Sequence, residues 1–238
     1  TNSISFPVSI TAKDLGGNTA TGFVSAVNLS ASAGTNLNSI GGGSSAWDYP
    51  MHTASHDSRT QVIYLTNELG GACILRALAL NVQTVPGQTM TNWTIRMKHT
   101  LLDKYASPAA WESSGWTMVY QTNQPVTSAG WITFPFTTSF AYNGSNNLIV
   151  DFSHNNFSSG TSGKCRYTLT GQNRSIYYTS ASVYGDPLRW SGTSNPTPSS
   201  KAQIPNIRLS VSARVAIDPA LSSNLTLGVW TGTVAVLQ

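Results

Sequence analysis

The sequence predicts an all-β protein whose main part is a jelly-roll-like two-sheet sandwich. Only 9% of its 238 residues are charged, and Glu and Lys, which build helix surfaces, are scarce. Aromatic residues are abundant, with seven Trp, nine Tyr and seven Phe, and such residues favour strands. Short runs that alternate apolar with polar residues are separated by turn signals such as Val85-Pro86-Gly87 and Tyr142-Asn143-Gly144.

The centre of the chain contains nine candidate strands at short spacing, and this spacing is typical of a sandwich or jelly roll. A short helical turn is expected in "TNELGGA" (66–72). The nine segments are "TQVIYLT", "ILRALALNVQ", "TNWTIRMKHT", "WTMVYQT", "GWITFPFTTSF", "NNLIVDFSHN", "CRYTLT", "RSIYYTS" and "PNIRLSVS".

The two ends of the chain carry a different pattern. "VSITAKDLGGNTATGF" (8–23) and "GVWTGTVAV" (228–236) resemble the bacterial Ig-like repeat of large secreted proteins. The resemblance implies a split, truncated Ig-like domain, 1–32 with 213–238, that hosts an inserted jelly-roll-like sandwich, 33–212. The Gly/Ser/Asn-rich stretch "ASAGTNLNSIGGGSS" would be the linker between them. The alternative is a single sandwich that contains every strand.

The inserted region resembles β-sandwich modules of large secreted multidomain bacterial proteins, which are carbohydrate-binding-module-like. The matching motifs are "DSRTQVIYLTNEL" (57–69), "NWTIRMKHT" (92–100), "GWITFPFTTSFAYNGSNNLIVDFSHNN" (130–156) and "RSIYYTSASVYGDP" (174–187). The resemblance implies a secreted or cell-surface location, and a polysaccharide and the other domains of the same polypeptide as partners. It supplies no catalytic residues.

The residues themselves argue against several other functions. The nine acidic residues are scattered and form no glycosidase-like motif, and there is no Gly-x-Ser-x-Gly elbow, so a non-catalytic protein is expected. A net charge of +4 without Lys/Arg runs argues against nucleic acid. No apolar run reaches about 18 residues, so no membrane insertion is expected.

Aromatic residues in loop-like surroundings are the candidate sugar-binding groups, because sugar rings stack on aromatic faces. Trp190 with its neighbour Arg189 is the strongest candidate, since such a pair can stack and grip an anion. The basic balance then suggests an acidic or sulfated polysaccharide. The full set is Trp190, Arg189, Tyr184, Trp111, Trp116, Trp47 and Tyr49.

The interpretation of these aromatic residues as a sugar-binding site has two alternatives. The loop rings would instead plug the ends of the sandwich, and the protein would be a structural or adhesive surface repeat that binds a protein partner or spaces other domains. Trp93, Trp131, Phe134, Phe136 and Trp230 lie inside alternating runs and are predicted to be core.

The stretch "DYPMHTASHDSRTQVIYL" (48–65) is unusually polar for this chain. Asp57 and Arg59 are two apart and would share one face of a strand, so a structural network with Arg174 or Asp186 is expected. A zinc-like site at His52, His56 and Asp57 is a weaker alternative, because the segment resembles a loop. One structural calcium ion is a further expectation, with Asp57, Asp48 and Asp186, and also Asp151, as ligands.

The two cysteines, Cys73 and Cys165, leave two interpretations open. In an oxidising compartment they would form one disulfide. Otherwise they are buried thiols that act as small apolar side chains.

Overall fold

The computed structural model describes residues 3–29, 34–213 and 216–237. The chain divides into two compact units, Thr1–Thr35 with Ser212–Gln238 and the intervening Asn36–Val211. Among the described residues, no helix is long and apolar enough to cross a membrane. The elements are β1 Ser3–Thr11, β2 Thr35–Ile40, β3 Ala46–Trp47, β4 Asp57–Tyr64, α1 Thr66–Leu69, β5 Cys73–Thr84, β6 Met90–Thr100, β7 Thr117–Gln124, β8 Gly130–Tyr142, β9 Asn147–Asn155, β10 Lys164–Leu169, β11 Ser175–Ser180, a 3-10 turn Pro187–Arg189, β12 Ser199–Lys201, β13 Gln203–Pro205, β14 Ile207–Ala213, β15 Ala216–Asp218 and β16 Val229–Leu237.

The larger unit is built from two sheets, which confirms the predicted all-β sandwich. The six-stranded sheet has the order β12-β11-β4-β9-β6-β7 and is antiparallel throughout. The seven-stranded sheet has the order β13-β10-β5-β14-β2, with β3 paired to β10 and β8 paired to β5. Strand β8 pairs along most of β5, from Cys73 to Val82, so β8 and β14 flank β5 on opposite sides.

The main core lies between the facing surfaces of these two sheets. Alternate residues of each strand point inwards, as the period of two requires. Each such apolar side chain contributes about 1.5–3 kcal/mol when fully buried. The fully buried members include Val62, Tyr64, Leu78, Leu80, Trp93, Phe134, Val150, Phe152, Ile207 and Leu209.

Strand β4 is buried on both faces, which a strand of a simple two-layer sandwich is not. Its outward residue Ile63 belongs to a second apolar cluster that also contains Ile149 and Ile176 of the neighbouring strands. The rest of that cluster comes from two loops, 101–116 and 181–198, which supply Tyr105, Ala109, Trp111 and Trp190. These loops form a third layer over the six-stranded sheet, and we call this surface the covered face.

The smaller unit contains a three-stranded sheet of order β1-β16-β15. Trp230 is its largest buried residue, and the indole Nε1 donates a hydrogen bond of 3.0 Å to Ser223 Oγ. Gly232 lies so close to this ring that a Cβ there would be 2.3 Å from it. The Ig-like assignment of this unit stays a prediction.

The structure corrects the expected linker. Residues 35–40 of this stretch form β2 at the edge of the seven-stranded sheet. The structure also decides between the two interpretations of the cysteines. Cys165 pairs opposite Val82, near the end of β5, whereas Cys73 begins that strand. At about 3.3 Å per residue the two cysteines are roughly 30 Å apart, so they do not bond to each other.

Candidate functional site

Arg59, in the polar stretch 48–65, connects strand β4 to the loops of the covered face. Arg59 Nε donates to Asp151 Oδ1 at 2.8 Å, and Arg96 Nε donates to Asp151 Oδ2 at 2.8 Å. The remaining Arg59 donors reach three loop carbonyls, those of Pro187, Trp190 and Glu112. Four of the five N–H groups of this buried cation therefore have an acceptor. Arg59 ties both loops to the strand.

A structural network at Arg59 was expected, but its partners differ from the predicted ones. Arg59 pairs with Asp151, not with Asp186. Arg174 instead binds Glu68, and its Nε donates to the carbonyl of Ile63. The sequence could not show this, because Asp151 lies on β9 and becomes a neighbour only through the pairing of β4 with β9.

The strongest sugar-binding candidates lie inside the covered face. Trp190 is 2% exposed and Trp111 is 3% exposed, with ring centroids 5.8 Å apart. Trp111 Nε1 donates to Pro196 O at 2.9 Å, and Trp190 Nε1 donates to Tyr184 O at 3.2 Å. Both rings are closed off from solvent, so neither offers a face to a sugar. The rings are packed inside the protein, but over the face of the six-stranded sheet and not at the ends of the sandwich, where the alternative placed them.

The other aromatic candidates are packed to different degrees. Trp116 is half-buried, with Arg96 and Lys98 over its ring at 5.1 and 5.5 Å. Tyr184 and Arg189 are exposed beside Trp190. Tyr184 packs edge-on against Tyr178.

Trp47 and Tyr49 are buried against each other and against Tyr177. The ring of Tyr49 also stacks on His52, with centroids 5.1 Å apart. Burial raises the pKa of the Tyr49 hydroxyl well above its ordinary value. This cluster therefore stabilises the loop before β4 and presents no open ring face.

The expected metal ligands do not gather in one place. In the described parts of the chain, no three or more His, Cys, Asp or Glu side chains form a group that could hold a metal ion. Asp48 faces Lys164 at 3.6 Å, and Asp186 Oδ1 accepts a hydrogen bond from Leu188 N, which caps the 3-10 turn. The calcium ion stays a prediction.

Asp57 is the least satisfied of these carboxyl groups. It is 1% exposed, and neither of its oxygens accepts a hydrogen bond of normal geometry. Burial raises the pKa of the Asp57 carboxyl, and the nearby charge of Asp186 adds to this shift, whereas Ser182 and His56 oppose it. His56 Nδ1 lies 3.0 Å from Ser182 Oγ, so this histidine is engaged with the loop.

A small polar pocket opens between the end of β9 and the 3-10 turn. Its volume is about 110 Å³, and its lining includes Asn92, Gln121, Ser153, Asn155 and Asp186. Ligand pockets usually occupy about 300 Å³ or more. The pocket is therefore too small to enclose a sugar ring.

The opposite surface of the sandwich has a different character. We call the outer side of the seven-stranded sheet, around Trp131, the open face. Trp131 on β8 and Arg208 on β14 are half-buried, whereas Leu37 on β2 is 69% exposed. These residues, with Ala77, Ala79, Thr133 and Ser210, line a shallow depression. Trp131 was predicted to be core, so its outward position is a correction.

Strand alternation explains how the depression forms. Leu78 and Leu80 of β5 point into the core, so Ala77 and Ala79 point outwards. Because β5 lies between β8 and β14, its small alanines leave room for the Arg208 side chain to reach across to Trp131. The guanidinium carbon lies 4.1 Å from the centroid of the Trp131 ring.

Comparisons with known proteins add little to this geometry. No protein-family model matches the chain, and no curated protein matches it. Among solved structures, the chain is similar to chitosan-binding module 1 derived from a chitosanase/glucanase from Paenibacillus sp. IK-5, at 15% identity and a TM-score of 0.29. That match covers 58% of this chain and 94% of the module.

Two viral structures show weaker likenesses. The chain is similar to infectious bursal disease virus structures of the Gt strain, at 12% identity and a TM-score of 0.23, and of the Gx strain, at 8% and 0.18. These matches cover 98% and 99% of this chain but only 40% and 39% of the viral chains. At such scores none of the three likenesses carries an argument about function.

Proposed function

We propose that the protein is a non-catalytic carbohydrate-binding module of a secreted or cell-surface multidomain protein, and that it binds extracellular polysaccharide on the open face. The observation that carries this proposal is the half-buried ring of Trp131, beside an apolar depression floored by Ala77 and Ala79. An aromatic ring among small apolar and hydroxyl side chains is the usual composition of a sugar-binding surface.

The form of the depression fits a polymer better than a small molecule. Its volume is about 80 Å³, too small to enclose a sugar ring, but its lining crosses four strands, from Trp131 on β8 to Leu37 on β2. Neighbouring strands are about 4.8 Å apart, so these two side chains start roughly 14 Å apart. That span accommodates more than one sugar ring of a chain lying on the sheet. Thr133 and Ser210 add hydroxyl groups for sugar oxygens.

Affinity electrophoresis against neutral, carboxylated and sulfated polysaccharides tests this function. We expect at least one polymer to retard the protein, and Trp131→Ala to abolish the retardation. Phe157→Ala is the matched control, because Phe157 is 90% exposed and lies outside the depression. Retardation by no polymer, with protein shown by circular dichroism to be folded, would contradict the proposal and favour the structural or adhesive repeat.

A further inference from the structure

Arg208 differs from the other packed arginines of the larger unit. Arg59 and Arg96 share the carboxylate of Asp151, and Arg174 binds Glu68. Arg166 donates to the carbonyl of Ser44. Within residues 3–29, 34–213 and 216–237, no carboxylate pairs with the Arg208 side chain and no acceptor receives a hydrogen bond from it. The guanidinium group instead lies over the ring of Trp131.

Stacking holds the guanidinium group without using its donors. The guanidinium carbon lies over the Trp131 ring at a distance suited to stacking, and a stacked guanidinium directs its five N–H groups outwards in its own plane. Arginine side chains are otherwise flexible, so this contact reduces the conformational entropy that binding would cost. The result is a positioned fork of donors on a half-buried surface.

The surroundings of Arg208 strengthen an interaction with an anion. Its neighbours in the depression are apolar or hydroxyl side chains, and no acidic residue lines it. A partly buried ion pair is screened by salt much less than an exposed pair is. A planar fork of this kind matches a carboxylate group, which it can bind through two parallel hydrogen bonds.

We propose that Arg208 is the specificity-determining residue of the open face and that it selects polysaccharides whose sugars carry a carboxylate. This inference rests on the proposed function. The sugar ring lies over the depression between Trp131 and Leu37, and its carboxylate lies in the plane of the Arg208 guanidinium. Hydroxyl groups of the sugar face Thr133 and Ser210.

The test measures binding of the full chain to polygalacturonate and alginate, and to the same polymers after chemical reduction of their carboxyl groups. Reduction converts each acidic sugar into its neutral counterpart and leaves the backbone unchanged. The measurement is made at about 0.15 M salt, so that long-range attraction to the basic protein is screened. We expect the carboxylated form of at least one polymer to bind about tenfold tighter than its reduced form.

The variant Arg208→Gln is expected to lower that affinity about tenfold, to the level of the reduced polymer. Arg189→Gln is the matched control, since Arg189 is an exposed arginine outside the depression. It removes the same net charge and is expected to leave binding unchanged. Arg208→Lys retains the charge but lacks the fork, and it is expected to bind nearly as weakly as Arg208→Gln.

Equal binding of carboxylated and reduced polymers would overturn this inference and leave the proposed function intact. Binding of dextran sulfate, with neither carboxylated polymer bound, would overturn the carboxylate as the recognised group. An equal loss of affinity in Arg189→Gln and Arg208→Gln would show that binding depends on net charge alone, and this also overturns the role of Arg208. Binding to no neutral, carboxylated or sulfated polymer would overturn both proposals.

Discussion

The covered face and the open face each carry an arginine over a tryptophan, and the surroundings of the two pairs differ. Arg59 lies 4.9 Å from the ring centroid of Trp111, and Arg208 lies 4.1 Å from that of Trp131. Arg59 is fully buried, and its donors go to Asp151 and three loop carbonyls. Arg208 is half-buried, and among the described residues it has no such acceptor. The comparison shows that hydrogen-bond satisfaction, not residue type, separates a structural pair from a candidate binding pair.

The difference follows from what lies above each sheet. Two loops, 101–116 and 181–198, cover the six-stranded sheet and bring carbonyl groups to Arg59. The open face has two alanines where a larger side chain would fill the space. A fully buried cation must have its partners, because an unpaired buried charge is costly. A half-buried cation can keep its donors in contact with water until a ligand arrives.

The largest effect expected from breaking the comparison is on Arg59. Arg59→Leu leaves the Asp151 carboxylate with one of its two cations and removes the only side-chain donor that the described residues give to the buried carbonyl of Trp190. We expect the free energy of unfolding to fall by about 3–5 kcal/mol, the usual cost of breaking a buried pair. Urea unfolding measures this change. Arg208→Leu is the matched variant, and it should cost no more than about 1 kcal/mol, the value of an exposed cation–π contact. Equal losses in the two variants would remove the distinction between the faces.

The tryptophans give a second, slightly smaller contrast. Trp190→Ala removes a buried indole that packs on Trp111 and donates to Tyr184 O. Removal of such a side chain costs about 3–5 kcal/mol. Trp131→Ala removes a half-buried ring and should cost roughly 1 kcal/mol, through the lost contact with Arg208. Thermal and urea unfolding of both variants, beside polysaccharide binding, would show whether stability and binding divide between the faces. Loss of binding in a fully folded Trp190→Ala variant would contradict this division.

Lowering the pH should reduce the free energy of unfolding through His154 on the six-stranded sheet. It should leave the charge of the open face unchanged. Burial lowers the pKa of His154 on β9 to about 4, and hydrogen bonding to the carbonyls of His52 and His56 opposes the shift. An unfolded histidine has a pKa of about 6.5, so below that pH the unfolded chain binds more protons. Stability therefore falls as the pH drops from about 6.5 to about 4, by roughly 3 kcal/mol in total.

Urea unfolding at several pH values measures this slope, and His154→Gln should flatten it. Asp57 acts in the opposite direction, because its raised pKa stabilises the folded state as the pH falls toward its unfolded value. The lining of the depression contains no histidine or carboxyl group, so binding to the open face should persist at pH 5.5 while the protein is folded. Equal pH slopes between pH 7 and 5 in the wild type and in His154→Gln would show that His154 is not buried in its neutral form.

The sequence predicts the strands better than it predicts what faces outwards. Alternation and turn residues locate β4 to β11 and β14 within a few residues, because these strands are long and have a buried face. Strand β2 was not predicted, since "TNLNSI" has few apolar residues and is followed by the Gly/Ser run 41–45. The partners of Arg59 could not be predicted from the sequence either, because they depend on strand pairing between distant segments.

The exposed residues of the candidate site were harder to predict from the sequence than the strands were. Loop-like context made Trp190 and Trp111 the leading candidates, but the loops fold back and bury both rings. Trp131 lies in an alternating run, and alternation does not say which face of the strand is covered. One signal was available: outward positions of β5 are occupied by Ala77 and Ala79, and a row of small residues on a strand leaves space for a neighbour's side chain or a ligand. Only the pairing of β5 with β8 joins that row to Trp131.

The smallest expected effect on stability comes from filling that space, with the variant Ala79→Leu. A leucine on β5 would occupy the gap that Arg208 crosses to reach Trp131, and it would separate the two side chains. Ala79 is buried, but the side chain that must move aside is that of the half-buried Arg208, so we expect the free energy of unfolding to fall by only about 1 kcal/mol. Polysaccharide binding should nevertheless be lost, because the floor of the depression is raised and the guanidinium is displaced. Gel retardation and urea unfolding of the same preparation would measure both effects, with Ala141→Leu as the matched control, because Ala141 is an exposed alanine of β8 outside the depression. Unchanged binding in Ala79→Leu would show that the ligand does not lie over β5. This result would contradict the proposal that the open face is the binding surface.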